Sequence, residues 1–251
     1  MAALILFAIQ LTVLAFPQIL LTNKVESGTI SLYYDEGSSD VMLALAEEVD
    51  GRLQSSGLYD RSRRDRVYYF QNQSLYELFV RLTFLRRMPQ GYNLSALGNS
   101  YVSASMVRSL ADTNAGEPRY SIHEGAPAHV IAHEIGHQYI TDLIGRSAWK
   151  NLPLWKREGL PEYLANIGMI RHDRAYSLRQ RFEILNDDAV WYETAGRPRN
   201  GWDRVHYEAM VLVEFQLEIR GLTIAQLVAD TTSKDVAMSE LLAWYTADAP
   251  S

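Results

Sequence analysis

The stretch Ala132-His133-Glu134-Ile135-Gly136-His137 sets two imidazoles and a carboxylate within five residues of one another. On a helix of 3.6 residues per turn, His133 and His137 fall one turn apart on the same face, so both can reach one metal ion. Glu134 directly follows the first histidine, which carries its carboxylate to the side of the ion, within reach of a water held there. The pattern is that of two ligands and a general base for metal-assisted hydrolysis. The chain has six His and no Cys, so thiolate metal sites and disulfides are excluded and any ligands must be imidazole or carboxylate.

A hydrolytic zinc ion takes three protein ligands and leaves a fourth position open. Downstream the chain reads Pro153-Leu154-Trp155-Lys156-Arg157-Glu158-Gly159-Leu160-Pro161-Glu162-Tyr163. With the histidine pair, this resembles the Trp-x-x-Glu-Gly-x-x-Glu-Tyr pattern of the peptidase MA-like gluzincins, the superfamily of thermolysin and the zinc aminopeptidases. The resemblance covers residues 126 to 215, and 20 residues separate His137 from Glu158, close to the aminopeptidase spacing. It implies one Zn2+ ion held by His133, His137 and Glu158, with Glu134 as base. It also implies that Glu162, one turn after Glu158, accepts the free N–H of a ligating histidine, a bond that fixes the tautomer and raises ligand basicity.

The run Val205-His206-Tyr207-Glu208-Ala209-Met210-Val211 is similar at two positions to the Tyr-Glu-Lys-Gly-Ala run of the aminopeptidase branch. There the Tyr hydroxyl steadies the oxyanion, a role the resemblance gives to Tyr207. His206 beside it either donates to substrate or is structural. His129, one turn before His133, lines the cleft or bonds locally; His123 and His172 are surface histidines, and Trp155 packs the entry to the second helix. Pro161 stands where relatives carry a good helix former. Because proline is harmless only in the first turn, it predicts that the second helix begins near Glu158.

No Gly-x-Met-Glu-Asn-type run is present to grip a free amine. The resemblance therefore implies an endopeptidase or processing enzyme acting on a peptide or protein, with the substrate held along an edge strand. Two other classes would use the same residues: a catalytically silent binding module of the same fold, and a zinc hydrolase of a non-peptide amide or ester. The net charge of −6 argues against a nucleic-acid partner, and Arg61-Ser62-Arg63-Arg64-Asp65-Arg66 reads as a solvated turn.

Residues 1–22 form a separate unit, with no charge from Ala2 to Leu21 and an apolar run close to the ~20 residues that span a bilayer. They predict a membrane anchor or an export signal cleaved after Val13-Leu14-Ala15, the domain being extracytoplasmic or, after cleavage, secreted; the other reading is a buried helix of the soluble fold. Residues 23–251 then form a single peptidase domain. Strands are expected at Thr29–Tyr34, Arg66–Phe70, Gly98–Ala104 and Arg119–Ile122, with a loop at Asp112–Pro118. Ser39 or Asp40 caps a helix burying Val41, Leu45, Val49 and Leu53, and another starts at Ser74 with Leu75, Leu78, Phe79 and Leu82 on one face. From Ala126 the pattern is helical. Strands first and helices after predict an α+β fold, a small sheet lobe on the metal helix and a helical C-terminal lobe, which the resemblance makes thermolysin-like.

Overall fold

The computed structural model describes residues 10–83, 85, 88–105, 127–172, 178–191 and 204–247. The expected strand Arg119–Ile122, the loop Asp112–Pro118 and His123 lie outside them, as do residues 1–9. The chain divides into two compact units, Met1–Gln138 and Tyr139–Ser251. Its class is α+β, with the strands first and helices after, as expected. Among the described residues, no helix is long and apolar enough to cross a membrane.

The first unit is built on a five-stranded mixed sheet in the order β1-β2-β3-β5-β4. The strands are β1 (Asn23–Ser27), β2 (Ile30–Tyr34), β3 (Asp65–Phe70), β4 (Gly91–Leu94) and β5 (Asn99–Ser103). β2, β3 and β5 run parallel, and β1 and β4 are antiparallel edges. Parallel neighbours need crossovers. Helix α1 (Ser39–Gln54) makes the first and packs on β1 and β2; α2 (Gln73–Leu82) lies in the second and packs on β3 and β5. All five residues of β5 are buried, the pattern of a strand covered on both faces.

Four tyrosines cross this sheet side by side. Tyr33, Tyr68, Tyr101 and Tyr92 are register partners on β2, β3, β5 and β4, and their rings stack at 5.2, 5.3 and 4.7 Å. Cross-strand aromatic pairs each add about 0.2–1 kcal/mol. The ladder forms one core with Phe70, Tyr76, Phe79 and Val80, and Leu14 and Leu21 belong to the same cluster. Residues 10–15 are helical and Pro17–Ile19 form one 3-10 turn, so the described part of the apolar N-terminal stretch packs on the sheet.

The face that α1 buries is Met42, Ala46, Val49 and Leu53; Val41 is exposed and Leu45 only half-buried. Steps of four, three and four follow the 3.6-residue turn, whereas the expected steps of four drift off it. On α2, Tyr76, Phe79 and Val80 are buried and Leu78 is exposed. Tyr76 can go inside because its hydroxyl finds the Pro89 carbonyl at 2.7 Å.

The metal-motif helix α3 (Pro127–Ile144) runs through the boundary between the units. The second unit then holds α4 (Arg146–Asn151), α5 (Leu154–His172), α6 (Leu178–Asn186), α7 (Asp188–Trp191), α8 (Arg204–Glu214) with a π-helical turn Phe215–Ile219, α9 (Ile224–Ala229) and α10 (Lys234–Ala247). The start of α5 is a correction. It begins at Leu154, with Pro161 inside it, not near Glu158. The Pro153 carbonyl takes the N–H groups of Lys156 and Arg157 at 3.0 Å each, and the turn is nucleated there. Burial of Trp155, Leu160, Tyr163 and Leu164 outweighs the one hydrogen bond that proline forfeits.

A buried lysine and a buried ion pair tie this unit together. Lys156, fully buried, donates to the Leu227 and Asp230 carbonyls at 2.8 and 2.5 Å, closing the C-terminal end of α9, and burial pulls its pKa below the ordinary lysine value. Arg181 on α6 forms a two-pronged pair with Glu214 on α8, both side chains almost fully buried. Burial pushes the Glu214 carboxyl upward against the pull of Arg181. Removing one partner of such a pair costs about 3–5 kcal/mol, since it strands the other charge. Arg181→Met should therefore lower urea stability by that order, and adding Glu214→Leu should restore much of it; an additive double variant would show that the pair is uncoupled.

Candidate metal centre

Pro127 opens α3, where its missing N–H is not needed. From Ala128 to Thr141 every residue but His137 is buried, so the helix is enclosed on all sides and its polar groups need inward partners or a ligand. His133 and Glu134 are buried, and His137 is half-buried. The two imidazoles meet edge to face with centroids 4.7 Å apart, the arrangement expected of residues one turn apart. His129 is buried on the same helix, and the metal group is complete without it.

His133, His137 and Glu158 each offer one ligand atom, and these atoms lie within 4.8 Å of one another. Donors about 2.0–2.2 Å from a tetrahedral ion stand roughly 3.4 Å apart, which is inside that limit. Two nitrogens and a carboxylate oxygen suit a divalent ion, and the group can hold one.

Glu134 has its own setting within the first unit. A Cβ placed on Gly91 would stand 3.0 Å from both Cγ and Oε1 of Glu134, and 3.1 Å from Val130. Gly91 opens the edge strand β4, whose next residue closes the tyrosine ladder. Burial raises the Tyr76 and Tyr92 phenols well above their ordinary pKa, and the nearby Glu134 charge adds to both shifts. The Glu134 carboxylate thus lies against the end of the sheet, with β4 on one side.

In the second unit, α5 and α8 make the most extensive helix contact. Gly159 allows it: a Cβ there would fall on the Ala209 carbonyl and reach Val213 Cγ2 at 2.8 Å. Glu158 is half-buried, with Arg157 Nε at 3.5 Å from one oxygen and His206 Nε2 at 3.7 Å from the other. Glu162, one turn on, is buried. Trp155 is buried as expected, with the Lys156 ammonium 5.1 Å from its ring centre.

Neighbours in sequence, His206 and Tyr207 are placed differently. Tyr207 is fully buried with its ring 5.1 Å from Trp191. His206 keeps 37% of its side chain exposed beside Glu158. Sequence reasoning passed over Gly91 and Tyr92, because a four-residue strand opening on glycine shows too little alternation to be read, and over Tyr76 because the face of α2 was read through Leu75, Leu78, Phe79 and Leu82.

Titration of the metal-free chain with Zn2+ should saturate at one ion, and His137→Ala or Glu158→Ala should abolish the tight site. Glu162→Gln should weaken it by ~10–100-fold; unchanged affinity would make Glu162 a packing residue. Neither models of known families nor curated protein sequences match this chain, so the chemistry of the centre is read from its own residues.

Proposed function

We propose that the chain is a zinc-dependent metallopeptidase of the peptidase MA-like, thermolysin-like type, cutting peptide bonds as an endopeptidase or processing enzyme. The observation that carries this is the His133, His137 and Glu158 group, with the buried Glu134 carboxylate following the first ligand on the same helix. Bound there, zinc would supply Lewis acidity, lowering the pKa of a water and polarising the scissile carbonyl.

The rest of the chemistry falls to the chain. Glu134 takes the proton of the attacking water and passes it to the leaving amine. Its low exposure keeps solvent from competing for that proton, and Gly91 leaves the carboxylate room to swing between the two acts. Among the described residues β4 ends the sheet on one side, so that edge can align an extended peptide through main-chain hydrogen bonds. As the donor to the developing oxyanion we place His206, not Tyr207. The imidazole is accessible and within 3.7 Å of a ligand carboxylate, while the phenol is enclosed against Trp191.

Glu134→Gln keeps the size of the side chain but cannot accept a proton. Zinc content and melting temperature should persist while cleavage of a pool of unstructured peptides falls by ~10²–10⁴-fold or more. His206→Ala should lower kcat by ~10²–10³-fold with little change in KM, and Tyr207→Phe should leave kcat near wild type. Chelator-resistant cleavage, or cleavage that survives Glu134→Gln, would place the chemistry elsewhere.

A further inference from the structure

Residues 10–21 have two faces with opposite loyalties. Inward, Leu14 and Leu21 are buried in the tyrosine core. The Leu14 carbonyl accepts from the Tyr101 hydroxyl at 2.5 Å and from Asn99 Nδ2 at 3.0 Å, both buried donors. Both glutamines also turn inward: Gln18 Oε1 accepts from the Tyr68 hydroxyl at 2.9 Å, and Gln10 Nε2 donates to the Leu82 carbonyl at 2.5 Å. Drawing this stretch into a straight bilayer span would empty part of the core and strand these donors, each at the cost of a buried unsatisfied group.

Outward, Leu11, Phe16, Ile19 and Leu20 are 46–57% exposed. Elsewhere the large exposed apolar residues come one or two to an element, an ordinary surface pattern. Here four fall within ten residues, and with the Gln18 side chain turned inward the polar side chain left exposed among them is Thr12. Residues 1–9, directly before, are all apolar, and no charge occurs ahead of Lys24. Lys24 itself is engaged with Glu26 at 2.5 Å.

We propose that this face docks in the plane of a lipid bilayer, Leu11, Phe16, Ile19 and Leu20 entering the boundary between headgroups and acyl chains, while the inner face stays part of the sheet core. The attachment is monotopic and apolar. With no basic residue on the face, it does not depend on anionic lipid. The proposal is independent of the metal centre, and its test reads lipid binding alone.

The full-length chain is sedimented with pure phosphatidylcholine vesicles at low and at high salt. Wild type should pellet with the vesicles equally in both. Phe16→Asp with Ile19→Asp should reduce binding by at least about tenfold per residue, as apolar area is no longer buried, and leave the thermal melt unchanged. Leu14→Asp, on the inner face, should instead lower the melting temperature. The chain has no Cys, so Phe16→Cys gives a single labelling site; a fluorophore there should be quenched by lipids brominated near the headgroup. Quenching mainly by lipids brominated at the bilayer centre would overturn the in-plane arrangement. Wild-type chain left in the supernatant, undiminished binding by the double variant, a requirement for anionic lipid, or a dimer in solution that the double variant abolishes would each overturn the proposal.

Discussion

Two imidazoles and a carboxylate on consecutive and turn-related positions of one enclosed helix set the terms for the rest of this protein. Buried polar groups of that kind are tolerated only when something on the inside answers them. The N and O donors of His133, His137 and Glu158 draw within 4.8 Å, and the sheet brings β4 up to Glu134. The tyrosine ladder then has a purpose beyond stability. It joins β2 through β3 and β5 to the last strand, where its final ring, Tyr92, directly follows the Gly91 that lies against Glu134.

In the second unit the equivalent anchoring is electrostatic. The buried Arg181–Glu214 pair joins α6 to α8, and Lys156 joins the first turn of α5 to the end of α9. Glu158 and His206 are each carried on a helix whose position is fixed by a buried charge. Pro161 is accommodated mid-helix because packing on both sides of it is dense, a case of tertiary context overriding local propensity.

The metal group was legible where it is local: the spacing of His133 and His137 puts both on one helix face, and the resemblance around Glu158-Gly159 named the third member of the group that the fold brings together. β2 was legible from its alternation, β3 from the apolar run Val67-Tyr68-Tyr69-Phe70, and β5 from Tyr101-Val102 set between turn-forming residues. β1 was not, since Asn23-Lys24-Val25-Glu26-Ser27 buries only Val25 and belongs to an edge. β4 was hidden because its important residue has no side chain. Which of His206 and Tyr207 is buried could not be read from sequence, because adjacent helical residues point about 100° apart and only the packing against Trp191 shows that Tyr207 turns in.

At Gly159, α5 and α8 approach until the main chain of one nearly touches that of the other. A helix pair spaced by backbone instead of by interlocking side chains forbids almost every residue at one position and prescribes little at its neighbours. The residues beside Gly159 are therefore free to vary in a way that Gly159 itself is not, and the close approach that positions Glu158 rests on a single missing side chain.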